Sequence, residues 1–282
     1  MSLKPFKSIG IGVAYSPNLK ANLFEAARLS VFFGAKLFLI HVGESSEDKI
    51  NMLRVTLKTF EKDKLDYEVV FKKGDPVDVI LSTSEEKKID LLILGAVQRE
   101  QFLKYYVGSI ARKITRQAKC SILLLIKPSV ERLPCQHIVV NGLKDPKTEQ
   151  TIKTAFYVGK KLNAKKITIV EEINQEQVKV TVEDDKSLRR ATIAKERIKL
   201  RENSRIKDII EHIPEAYTKD IIIKSQPIFG KKGYSIGHYA QISRADLLVM
   251  NAPSKMTFWD RLFPHDIEHI LTELPTDVLI LQ

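Results

Sequence analysis

Short apolar runs recur along this chain in a fixed order, and then the order starts again. "SIGIGVAYSP" (8–17) is echoed by "HIVVNGLKDP" (137–146), and "GAKLFLIH" (34–41) by "NAKKITIV" (163–170), both at an offset of 129 residues. "IDLLILGA" (89–96) is echoed by "ADLLVMNA" (245–252), and "AKCSILLL" (118–125) by "LPTDVLIL" (274–281), both at an offset of 156. Constant offsets of this kind mark a duplicated unit. The difference between them puts a net 27 extra residues between the second and third strands of the second copy.

Between the apolar runs lie stretches with helical spacing. "NLFEAARLSVFF" (22–33) stops at Gly34, residues 46–64 open on a Ser N-cap, and residues 77–87 follow Gly74-Asp75-Pro76. Strands apolar on both faces that alternate with helices form a parallel sheet covered on both sides. The reading is an α/β fold with domain 1 at 1–127, a linker at 128–135 and domain 2 at 136–282. A basic insertion lies near 174–203. A chain of 282 residues with 44% hydrophobic content can bury two such cores. No apolar run approaches the ~20 residues of a membrane span, and "MSLKPFKSIG" lacks a signal-peptide core. Two cysteines, Cys120 and Cys135, give neither a disulfide framework nor metal spacing. A reducing cytoplasm is the expected location.

The net charge of +11 attracts anions, but much of the excess is local. From Lys186 to Lys207, nine basic residues face only Glu196 and Glu202. This segment reads as a solvated, mobile loop. Grip on nucleic-acid phosphates or on a membrane surface is the lesser reading, because "RRATIAKERIKLREN" offers no aromatic for base stacking.

Taken together, "KSIGIGVAYSP", "AKLFLIHV", "KKGDPVDVI", "KIDLLILGA" and "VGSIARKITRQAKCSILLLI" resemble a universal stress protein domain. The resemblance covers nearly all of 1–127 and, more loosely, 136–282, as in tandem members of that family. It implies two doubly wound five-stranded parallel sheets of strand order 3-2-1-4-5, with the last strands pairing the two domains as an internal pseudo-dimer. A ligand would sit at the carboxyl ends of strands one and four, where strand order reverses.

Nucleotide-binding members of the family carry Gly-x2-Gly-x9-Gly-Ser/Thr at that point. Gly95, Gly108 and Ser109 match it at the right spacing, and Gln98 stands at the second glycine position. The resemblance implies that bare amides, glycines free to take φ > 0 and the following helix N-terminus would hold phosphates. Ser109 also suits a helix N-cap, and Arg99 and Lys104 add charge. Ser16 falls where the family places an Asp near the sugar, and Val42 matches an adenine-contacting Val. The expected cofactor is ATP or a related adenine nucleotide in domain 1. In domain 2, Asn251, Ser254, Pro264 and His265 replace the motif, so no nucleotide is expected there, although Asp145 stands where the strand-one carboxylate would be. Met256, Phe258, Trp259, Leu262 and Phe263 would either cover an interface or plug that cleft. His265 and His269, beside Asp266 and Glu268, lack the metalloprotease pattern, and no metal site is expected. His41 reads as a packed histidine and Cys120 as core.

No catalytic base or positioned nucleophile stands out, so the chain reads as a stress-response binding protein and not an enzyme. A nucleotide-free interaction module acting through an unidentified protein partner is the alternative. Further self-assembly is left open.

Overall fold

The apolar runs become strands because each can bury both faces and satisfy its backbone in a ladder. The computed structural model describes residues 6–98, 105–174, 181–230, 234–252 and 270–282. The chain divides into two compact units, residues 1–134 with 271–282, and residues 135–270.

In the first unit the main strands are β1 (Ser8–Gly12), β2 (Lys36–Val42), β3 (Tyr67–Lys72), β4 (Leu91–Gly95) and β7 (Ser121–Leu125). They are parallel and lie in the order β7-β4-β1-β2-β3. This is the predicted doubly wound order, and it puts the reversal between β1 and β4. The helices are α1 (Leu19–Phe33), α2 (Glu47–Leu57), α3 (Pro76–Glu86) and α4 (Ser109–Gln117). α1 stops at Gly34, whose φ of 66° is the left-handed conformation that glycine adopts most readily. Ser46 caps α2, and the Asp75 carboxylate accepts from the amides of Val77 and Asp78 at the start of α3. A small antiparallel hairpin, β5 (Val97–Gln98) with β6 (Tyr105–Tyr106), joins β4 to α4.

The second unit repeats the plan with β8 (His137–Asn141), β9 (Lys166–Asn174), β10 (Ile222–Gly230) and β11 (Leu247–Asn251), parallel in the order β10-β9-β8-β11. Its helices among the described residues are α5 (Thr148–Leu162), α6 (Asp185–Glu211), α7 (Glu215–Thr218) and α8 (Tyr234–Ile242).

The repeat offset of 129 breaks just before β9. In the first copy Ser8 pairs with Lys36, whereas its echo His137 pairs with Lys166, one residue beyond the offset. The amides of Lys165 and Lys166 both point to the carbonyl of Gln136, so Lys165 is the extra residue. A one-residue slip moves every following side chain to the other face.

The basic insertion is not a solvated loop. Residues 185–211 form the 27-residue helix α6. Asp184 and Ser187 cap it reciprocally, the Asp184 carboxylate accepting from the Ser187 amide at 2.7 Å and the Ser187 hydroxyl oxygen from the Asp184 amide at 2.9 Å. Ala191, Ala194, Ile198, Glu202, Arg205 and Ile206 are covered at three- and four-residue intervals. Ion pairs Glu196–Lys199 and Glu202–Arg205 add support along the axis. Dense charge masked an amphipathic period.

The last strand, β12 (Asp277–Leu281), pairs antiparallel with β7, Leu279 lying opposite its own repeat equivalent Leu123. Ile280 in this ladder is 1% exposed. Ile280→Ala should therefore destabilise the first unit by about 2–5 kcal/mol, read as a lower urea midpoint. An unchanged midpoint would mean that β12 does not stay docked on β7.

Candidate functional site

The carboxyl ends of β1, β2 and β4 share one edge of a parallel sheet, and that edge collects the residues singled out in the first copy. Ser16 lies exposed in the β1–α1 turn, its amide bonded to Ala14 O. Val42 ends β2 and is half-buried; Gly95 ends β4 and is exposed. Gly108 is the N-cap of α4, with φ −61° and ψ 163°, and no side chain caps that helix. Ser109 is the exposed first residue of α4 and not its N-cap. Neither Gly95 nor Gly108 uses positive φ. A Cβ on Gly95 would meet the Asn22 amide group at 3.6 Å, and one on Gly108 would meet Val97 at 3.4 Å. Neither a special torsion nor a steric clash demands glycine at these two positions. The backbone of Gln98 belongs to β5, so the second motif position is held in a hairpin. Arg99 and Lys104 fall outside the described residues.

Sequence reasoning missed Tyr15, Asn22 and Lys49. The Tyr15 ring packs edge-on against His41 at 4.9 Å, and His41 packs on Phe71 at 5.4 Å. His41 Nδ1 lies 2.9 Å from Val13 O, and Lys49 Nζ 3.3 Å from Nε2. An ammonium can only donate, so the geometry selects the tautomer with the proton on Nδ1. Lys49 also donates to Glu44 O and stands 5.6 Å above the Tyr15 ring. His41 is thus the packed histidine that the sequence indicated. Burial pushes the Tyr15 phenol up, and its hydroxyl oxygen and Asn22 Oδ1 are buried without a partner among the described residues. A Tyr-His pair and an Asn behind a glycine carry no local spacing signal.

The chain's end holds the hairpin in place. Leu271 O accepts from Val107 N at 3.0 Å and from Arg112 Nη2 at 3.1 Å, and Tyr105 O accepts from Leu274 N at 2.9 Å. The start of α4 is therefore fixed from two sides.

The second copy is built differently at the same edge. By strand register Glu171 takes the place of His41 and Glu172 that of Val42. Asn251 takes the place of Gly95. Glu171 is 2% exposed. Ser225 Oγ lies 2.7 Å from its Oε1 and 2.8 Å from Asn203 Oδ1 on α6. A protonated Glu171 donating to Ser225 leaves the hydroxyl hydrogen for Asn203. Burial pushes the Glu171 carboxyl up, against the Ser225 hydrogen bond and the Arg205 charge. Burial would also raise Glu202, but hydrogen bonds and charge from Arg205, then Arg201, outweigh it and hold Glu202 below the usual range. Arg205 further donates to the Gly142 carbonyl. Glu172 accepts from the Ile236 amide at 2.6 Å, at the start of α8. Asp145 accepts from the Lys147 amide at 2.8 Å, capping its own turn into α5. This edge is filled by internal polar bonds. Ser254, Met256, Phe258, Trp259, Leu262, Phe263, Pro264, His265, Asp266, Glu268 and His269 lie outside the described residues.

Burial pushes the Cys120 thiol up to about 11, so it is no thiolate nucleophile at neutral pH. No cluster of three or more potential metal ligands occurs among the described residues, and no described helix is long and apolar enough to cross a membrane.

A doubly wound parallel α/β sheet with a glycine-lined edge at its reversal point defines the class. The sequence model of the universal stress protein family matches residues 5–125, a little under half of the chain. Over 59 residues the chain is 30% identical to a universal stress protein of Methanocaldococcus jannaschii, and over 65 residues 29% identical to one of Methanothermobacter thermautotrophicus. These stretches are 21% and 23% of this chain and span 35% and 44% of those relatives' lengths. Nearly the whole fold is shared with a protein of Pseudomonas aeruginosa UCBPP-PA14 named for the universal stress proteins, with a TM-score of 0.73, 15% identity, and 99% and 94% of the two chains covered. A universal stress protein of Archaeoglobus fulgidus gives 0.66, 15% identity and 98% of each chain.

Glu171 and Glu202 give opposite pH signatures. The folded chain holds the Glu171 proton more tightly than the unfolded chain, so stability falls as pH rises from the usual glutamate range through the raised folded value. The Glu202 contribution is present above the usual range and is lost as pH falls through its lowered value. Glu171→Gln should raise the thermal midpoint at mildly alkaline pH and leave it nearly unchanged in acid. Parallel pH–stability curves for the two proteins would contradict the burial of an ionisable carboxyl there.

Proposed function

We propose that the first unit binds an adenine nucleotide such as ATP at the carboxyl edge of β1 and β4, as a carrier and not a catalyst. The observation that supports this most is the open start of α4. Its first amides have no side-chain cap, Ser109 presents an exposed hydroxyl there, and Gly95 is exposed at the end of β4. Uncapped helix amides favour an anion. The phosphate half of a nucleotide fits this end, with Gly95, Gly108 and Ser109 as its contacts and Val42 toward the base. The sugar half fits less well, since Ser16 offers a hydroxyl where a carboxylate would accept two hydrogen bonds. Occupancy would alter the surface that a partner protein meets.

The Tyr15–His41 pair supports a second reading, a nucleotide-free module that acts through protein partners. Its ring contacts already fill part of the edge beside Val42.

Calorimetric titration of the full chain with ATP tests the two. Ser109→Glu suits a helix first turn yet sets a carboxylate against the phosphates, and should weaken ATP binding by about tenfold or more. Gln98→Gly, which restores the family's glycine, should tighten it. An absence of binding by both the wild type and Gln98→Gly would leave only the scaffold reading.

A further inference from the structure

We infer that the outward face of α6 is a docking surface for an anionic lipid bilayer. α6 packs one face through Ala191, Ile198, Glu202 and Ile206, and turns the other to solvent. At 1.5 Å per residue its 27 residues run about 40 Å. Its first turn projects beyond the packed stretch, with every residue from Asp185 to Arg190 except Ser187 exposed. On the outward face Lys186, Arg189, Arg190 and Arg197 are exposed and have no ion-pair partner among the described residues. Aliphatic side chains join these cations, Ile193 between Arg189 and Arg197 at 53% exposure and Leu200 one turn beyond Arg197 at 64%. At 100° per residue, Arg189, Ile193, Arg197 and Leu200 fall within one quadrant of the helix.

This combination selects among anionic partners. Cations alone can grip nucleic-acid phosphates, but a duplex offers nothing to exposed branched carbon, and single-strand stacking needs aromatics that this face lacks. Hydroxyls and an amide on α6 that could read base edges are engaged internally, Thr192 with Leu188 O, Ser204 with Leu200 O and Asn203 with Ser225. Along the first half of α6 the outward face is mostly cation and aliphatic carbon, and the acid Glu196 there is paired with Lys199. Lipid headgroups supply mobile negative charge, and the acyl boundary accepts branched carbon. Each basic residue close to such a surface contributes about 1 kcal/mol, and the aliphatics give the contact a component that salt does not screen. This inference rests on the second unit alone and is independent of nucleotide binding by the first.

Flotation of the full chain with vesicles of phosphatidylcholine, or of phosphatidylcholine with phosphatidylglycerol in equal parts, tests it. Binding is expected only with phosphatidylglycerol, weakening as salt is raised. Arg189→Glu with Arg197→Glu should lower the partition constant by about thirtyfold or more. Ile193→Ser with Leu200→Ser keeps every charge and should lower it by about tenfold. All four sites are solvent-facing, and circular dichroism of each variant confirms an intact fold. Equal flotation with phosphatidylcholine alone, no flotation with either vesicle, or unaltered binding by either double variant overturns the proposal. Tighter binding to duplex DNA than to vesicles at equal phosphate and salt overturns it too, and assigns the face to nucleic acid.

Discussion

An apolar strand cannot end a sheet in water, because its outer row of amides and carbonyls recruits any strand that comes near. β7 is such a strand, and its outer side is closed by β12 in an antiparallel ladder from Ile122 to Leu124. Much else in the first unit follows from that closure. The segment that leads into β12 supplies the carbonyl of Leu271 to Val107 and Arg112, the amide of Leu274 to Tyr105, and the carboxylate of Asp277 to the Ile126 amide at 2.8 Å. The hairpin between β4 and α4 is thereby tied down at its exit, and so is the helix start at which an anion would bind.

The fold was legible because burial on both faces writes itself as unbroken apolar runs, and a repeat doubles the signal. "SILLLI" and "DVLILQ" were readable as strands that need a partner for the same reason. Two features were hidden. α6 carries so many cations that its covered positions, Ala191, Ile198, Glu202 and Ile206, do not read as an apolar stripe, since one of them is a glutamate that only Arg205 and Arg201 make tolerable in the interior. The slip at Lys165 was invisible because "GAKLFLIH" and "NAKKITIV" align without a gap. Only the ladder shows that Glu171, and not Val170, stands in the place of His41. At the site itself, glycine spacing pointed to the edge but could not show that neither Gly95 nor Gly108 takes an unusual torsion.

The two copies solve the same edge in different ways. In the first, the sheet's carboxyl end carries rings and glycines, with Ser109 exposed and no side chain capping α4. In the second, an extra residue turns two glutamates into that position. One bonds through Ser225 to α6, and the other receives the start of α8. Asn251, where the first copy has Gly95, adds a side chain with a buried oxygen that has no partner among the described residues. Where the first unit leaves its edge to rings and glycines, the second builds an internal tie that anchors a long basic helix.

The strand that seals β7 is made late. Ile126 and Asp277 are 151 residues apart in the chain yet share a hydrogen bond, and all of the second unit is translated between them. During synthesis the first sheet must therefore wait with an open flank while a whole further core emerges. Contacts this distant in sequence slow folding, and the waiting flank is one that a neighbouring nascent chain could fill with its own copy of β12.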